Sequence, residues 1–214
     1  MAAPFSDVAR RLALPTGIVL LVSLGIAAGL AIGLWRATPR DDSPEAGFAR
    51  DMATHHAQAV DMSFLVRDAS TDEELRTLAS DIIVTQSTQR GIFMGWLQEW
   101  GLPQASARPR MAWMPGHAAM TSGTEGGVLM HGMATEAELR RLREAKGAAA
   151  EILFLQLMIR HHEGGIVMAR AVLTLSHRRE VVQMARSIEE GQQVEITRMK
   201  ELLAARHAQP LAPG

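Results

Sequence analysis

Apolar residues run without a charge from 16 to 35, TGIVLLVSLGIAAGLAIGLW. About 20 such residues are what a helix needs to cross a bilayer, so this stretch is expected to be a transmembrane anchor behind a cytoplasmic tail, residues 1–15. Arg10 and Arg11 precede it, while Arg36 and Arg40 follow beside Asp41 and Asp42. The charge bias is therefore weak, and the short tail favours a C-terminal domain outside the cytoplasm. The alternative is a cleaved signal peptide and a secreted protein, with a cut near Ala27 or Ala28. Gly25, Gly29 and Gly33 repeat at the spacing that lets two membrane helices approach closely, a route to a homodimer.

Beyond the anchor the pattern changes. Residues 36–46 are polar, carry two prolines and read as a linker. A period of 3.6 then predicts a helix from Gly47 to about Ala69. Thr71 and Glu74 have capping-box spacing, which predicts a second helix from there to Trp100, stopped by Gly101-Leu102-Pro103. Residues 102–134 lack clean periodicity. Thr135 and Glu138 form another capping box, predicting a long helix to about Leu175, loosened near Gly147 and Gly164-Gly165. A last helix is expected over 178–206, with a flexible tail at 207–214. No stretch alternates with the period of a sheet strand.

The helical part is duplicated. A gapless shift of 106 residues superposes Phe48 on Phe154, Met52 on Met158, His55 on His161, His56 on His162, Met62 on Met168, Gln86 on Gln192 and Leu97 on Leu203. Each repeat, 47–101 and 135–206, is a helical hairpin, and residues 102–134 connect them. Two hairpins bury their apolar stripes best against each other. The expected class is all-α: a four-helix bundle over 47–206 plus the N-terminal transmembrane helix.

The duplicated face is where the chemistry is expected. At about 100° per residue, Met52, His55, His56 and Met62 share one arc of roughly 120° with Phe48, Ala59 and Val66. Met158, His161, His162 and Met168 share the equivalent arc with Phe154 and Gly165, while Glu163 faces away. An inward imidazole must be hydrogen-bonded or metal-bound. Both readings stand: a metal or cofactor site, or a hydrogen-bonded histidine core. Gln86 and Gln192 are candidates to hold the rings.

Composition narrows the choice of metal. The chain has no cysteine, which excludes thiolate zinc, iron–sulfur and covalent c-type haem sites. Its 22 basic and 23 acidic residues show no basic cluster that would mark a nucleic-acid partner. Methionine, at 13, and histidine, at 8, remain. They concentrate in the connector, MAWMPGHAAMTSGTEGGVLMHGM, where Met111, Met114, His117, Met120, Met130, His131 and Met133 fall within 23 residues. Thioether and imidazole without thiolate suit copper, Cu(I) above all. The competing reading is a hydrophobic loop lapped over the bundle end, anchored by Trp113 and docked near Trp96 and Trp100.

Phe48-x3-Met52-x2-His55-His56-x5-Met62 and Phe154-x3-Met158-x2-His161-His162-Glu163-Gly164 resemble the signature of domain-of-unknown-function family 305. The likeness covers about 45–205 and includes the Gln86 and Gln192 segments and Met199. The first repeat departs from it, with Ala57-Gln58 where the pattern has Glu-Gly. Met114-Pro115-Gly116-His117 and Met130-His131-Gly132-Met133 vary on the family's Met-Pro-Gly-Met loop. The resemblance implies a ferritin-like four-helix fold, secreted or membrane-anchored, with copper binding in some members.

The expected function is that of a membrane-anchored, extracytoplasmic copper-binding protein that sequesters or transfers the ion. His55, His56, His161 and His162 would be ligands with Met52, Met62, Met158 and Met168, and the connector an exchange site. No catalytic constellation is recognised. A scaffold with a structural histidine core is the main alternative. Non-covalent haem and a di-iron oxidase are further ones, but Met52 and Met158 occupy the positions where a di-iron centre needs Glu-x-x-His.

Overall fold

The computed structural model describes residues 19–27, 29, 38–116 and 130–211. The chain divides into two compact units, Met1–Thr38 and Pro39–Gly214. In the first unit, residues 19–27 are helical. No helix among the described residues is long and apolar enough to cross a membrane, and much of the expected anchor, Gly33 included, lies outside them.

The second unit is helical, without a strand among the described residues. Its helices are α1 (Pro44–Ala69), α2 (Glu73–Glu99), α3 (Glu136–Glu144), α4 (Gly147–Leu175) and α5 (Arg179–Ala205). Helices α1 and α2 form one hairpin, α4 and α5 the other, and α1 packs on α4 to join them.

The helix ends follow local chemistry, with two departures from expectation. Ser43 caps α1 by accepting the Ala46 N–H at 3.2 Å, and Pro44 occupies the first turn, where its missing N–H costs nothing. The cap of α2 is Asp72, not Thr71: its carboxylate accepts the Leu75 N–H at 2.9 Å. A carboxylate facing the helix dipole makes the better cap. Thr135 and Glu138 do form the reciprocal capping box. The helix they open is short, however. Ala145 and Lys146 are extended, Gly147 sits at φ 52°, and a new helix starts there. Positive φ costs glycine little, so the break falls at Gly147, whereas α4 passes through Gly164-Gly165 uninterrupted.

The sequence repeat is reproduced in space as an approximate two-fold. Ser70 donates its hydroxyl to Glu151 at 2.6 Å, and its repeat partner Ser176 donates to Glu45 at 2.7 Å. The core falls into two clusters that exchange under the same operation. Phe48, Met52, Phe93, Leu97 and Met168 belong to one, and their counterparts Phe154, Met158, Met199, Leu203 and Met62 to the other. The connector breaks the symmetry. Met111 and Met130 fill the first cluster, whereas Ala134 and the α3 residues Leu139 and Leu142 fill the second.

Candidate metal centre

The polar layer lies where α1 and α4 cross. His55, His56, His161 and His162 are each fully buried. His55 and His161, equivalent in the repeat, lie ring against ring, with centroids 3.7 Å apart and planes tilted by 33°. His56 and His162 flank them, at 6.5 Å from His55 and 6.3 Å from His161.

Three of the four rings are held from outside the crossing. His55 donates its Nε2–H to the His131 carbonyl at 3.0 Å, His56 to Gln89 Oε1 at 2.8 Å, and His162 to Glu195 Oε2 at 2.6 Å. In the neutral rings of His55 and His56 the bond places the proton on Nε2 and leaves a lone pair on Nδ1. The Nδ1 atoms of all four rings are buried and meet no hydrogen-bond partner, and neither does Nε2 of His161. A backbone carbonyl or carboxylate behind the ring is the support that orients a metal-binding imidazole and fixes its tautomer. Burial pushes the ring pKa of both His55 and His56 down to about 3, and that of His161 well below its ordinary value. These rings are therefore neutral at neutral pH, the form in which imidazole binds metals.

Gln86 and Gln192 do not hold the rings. Both are buried, and their amide groups meet no partner. The residues that do hold His56 and His162 stand one turn further along, and the repeat signals them: Gln89 and Glu195 are related by the same 106-residue shift. Gln192 instead lies against Gly165, whose missing side chain makes room for it.

The methionines gather unevenly. Met52, Met111, Met130 and Met168 are buried in the first cluster, with Met94, Met114, Met133 and Met184 packed around it. Met62, Met158 and Met199 are buried in the second. Met94 and Met184 were not singled out by the sequence pattern, since neither has a methionine counterpart in the repeat. Among the described residues, no three His, Asp or Glu side chains converge as one metal set.

Two docking points bring the connector to this layer. Asp51 Oδ2 accepts the Met111 N–H and the Trp113 Nε1–H, each at 2.8 Å. Burial raises the Asp51 pKa, and those two donors oppose the rise. Trp113 also packs edge-on against Phe48 and lies on Gly47, so the loop docks on α1, in the cluster that also takes in Trp96 and Trp100. Met111 pays for this with a left-handed backbone, φ 63°. At the second point, Gly132 and Gly164 let the connector backbone touch α4, because a Cβ on Gly164 would strike the His131 carbonyl. Gln58 closes that contact through both its amide atoms, with Ala134 N–H at 2.7 Å and Ala134 O at 2.9 Å. His117 and Met120 lie outside the described residues. Glu163 faces outward, near Lys200 at 3.7 Å.

The family model of a domain of unknown function, DUF305, matches residues 45–203. The chain belongs to this family. A candidate secreted DUF305 protein from Streptomyces coelicolor is 44% identical, with 81% of this chain and 99% of that one covered and a TM-score of 0.72. A DUF305 fragment from Deinococcus radiodurans is 34% identical over 76% and 96% of the two chains, with a TM-score of 0.62. CopM in its Cu(II)-bound form is 28% identical over 76% and 97%, with a TM-score of 0.58. No curated protein matches the chain. In this DUF305 chain, the His-His motifs of the two repeats meet at the α1–α4 crossing, with the connector's His131 carbonyl against His55.

Proposed function

We propose that this DUF305 protein binds copper, Cu(I) foremost, in an imidazole–thioether site at the α1–α4 crossing, and that it sequesters or transfers the ion outside the cytoplasm. The observation that carries the reading is the state of the four histidines: Nδ1 of each is buried without a partner, and three are braced through Nε2 by an acceptor. A buried lone pair without a partner is costly. A metal ion would satisfy it, and sulfur beside imidazole selects a soft one.

His55, His56, His161 and His162 are the imidazole donors in this reading. Met52, Met62, Met158 and Met168 are the bundle thioethers. Met111, Met114, Met130, His131 and Met133, with His117 and Met120 of the same segment, are the connector donors through which the ion would enter or exchange. The copper-bound relative CopM supports the choice of metal. The apolar run at 16–35 supports a membrane anchor, and the Streptomyces relative supports a place outside the cytoplasm. Thioethers cannot be lost to disulfide formation there.

The test is a chelator-competition titration of the full chain with Cu(I), beside the variant with His55, His56, His161 and His162 all changed to Ala. The reading expects tight binding that weakens at least a hundredfold in the variant. Binding unchanged in the variant moves the site to the connector. No binding by either leaves the histidines as core architecture.

A further inference from the structure

The repeat places His56 and His162 at equivalent positions, but their supports differ in charge. Behind His56 is the neutral amide of Gln89, at 2.8 Å. Behind His162 is the carboxylate of Glu195, at 2.6 Å. No lysine or arginine pairs with Glu195 among the described residues, so its charge is turned on the ring alone. The two environments differ further at one position. Phe93 packs on His56 with centroids 5.8 Å apart, whereas its counterpart is the buried Met199.

A charge-assisted hydrogen bond from Nε2–H to carboxylate is stronger than one to an amide. It draws the ring toward imidazolate and makes Nδ1 the more basic donor. Added negative charge near a metal stabilises a dipositive ion more than a monopositive one, in proportion to the ion's charge. The amide behind His56 supplies no such bias.

We propose that Glu195 is a specificity-determining residue: acting through His162, it gives the second repeat's half of the site its hold on Cu(II), which the amide-backed His56 half lacks. Glu195 is a positioning residue, since its carboxylate bonds His162 and would act on the ion through that ring. The inference rests on the copper reading above and deepens it. It makes the duplicated halves unequal, one suited to both oxidation states and the other to Cu(I).

The test compares the full chain with Glu195→Gln and Gln89→Glu, measuring Cu(I) and Cu(II) affinity by chelator competition and the reduction potential of the bound copper. Loss of a supporting group of this kind weakens metal binding by about 10- to 100-fold. Glu195→Gln is expected to weaken Cu(II) by that factor while Cu(I) affinity stays within about threefold. The potential then rises by about 59 mV for each tenfold. Gln89→Glu is expected to strengthen Cu(II) binding and lower the potential. A purely structural role for Glu195 would weaken both ions together and leave the potential unchanged, and that result overturns the proposal. So does a Cu(II) affinity unmoved by either substitution. If the unsubstituted chain binds neither ion, the copper reading itself fails, a distinct outcome. Circular dichroism on each variant separates misfolding from a change at the site, and the opposite sign expected for Gln89→Glu cannot arise from misfolding.

Discussion

Acidifying the metal-free protein should begin to destabilise it well above the carboxylate range. His55 and His56 titrate at about 3 in the folded protein, against about 6.5 in an unfolded chain. The unfolded state therefore takes up protons first, and stability falls as pH drops below 6.5. The loss is about 1.4 kcal/mol per group at pH 5.5 and about 2.7 kcal/mol at pH 4.5. Two groups together remove about 5 kcal/mol by pH 4.5, the whole stability of a marginal domain. His161 is displaced in the same direction and adds to the effect. The assay is urea unfolding followed by circular dichroism between pH 7.5 and 4.5, with a chelator present. His56→Gln removes one titrating group, so the slope below pH 6 should fall by about 1.4 kcal/mol per pH unit. Stability that is flat from pH 7 to 5, or a slope indifferent to His56→Gln, would refute the reasoning that these rings are buried and neutral.

Three other substitutions test the connections around the crossing. Asp51→Ala leaves the Met111 N–H and Trp113 Nε1–H without an acceptor; it should cost about 1–3 kcal/mol per donor and expose residues 104–110 to proteolysis. Gly164→Ala drives a Cβ into the His131 carbonyl, so about 1–3 kcal/mol of overpacking is expected, with His55 losing its backbone acceptor; a ring-proton NMR shift for His55 checks it. Met168→Ala empties a fully buried position and should lower stability by about 2–5 kcal/mol, measured by urea unfolding.

The repeat made much of this architecture readable in the sequence. Duplicated Phe48/Phe154, Met52/Met158 and His55/His161 implied two hairpins with matching inward faces, and all six residues are buried. Helical geometry also put Glu163 on the outside. What the pattern missed depended on reach rather than on facing direction. Gln86 and Gln192 share the buried face, but they meet no ring. Gln89 and Glu195, partly exposed, reach in to His56 and His162. A long polar side chain at the edge of a stripe can contact the core, and a helical wheel assigns it to solvent. Gly147 was expected to loosen one long helix, whereas with φ 52° it opens a separate one after the extended Ala145 and Lys146. The connector's docking was legible in part: Trp113 anchors it, as the apolar loop reading expects, but the acceptor that holds it was not foreseen. Asp51 has no acidic counterpart in the second repeat, because it serves a loop that only one end of the bundle carries.

The most direct measurement of the copper site is X-ray absorption at the copper edge on the Cu(I)-loaded full chain. A shell of mixed nitrogen and sulfur, with the nitrogen contribution lost when His55, His56, His161 and His162 are all changed to Ala, is the expected result. A sulfur-only shell, or a mixed shell unchanged in that variant, would contradict a site at the α1–α4 crossing.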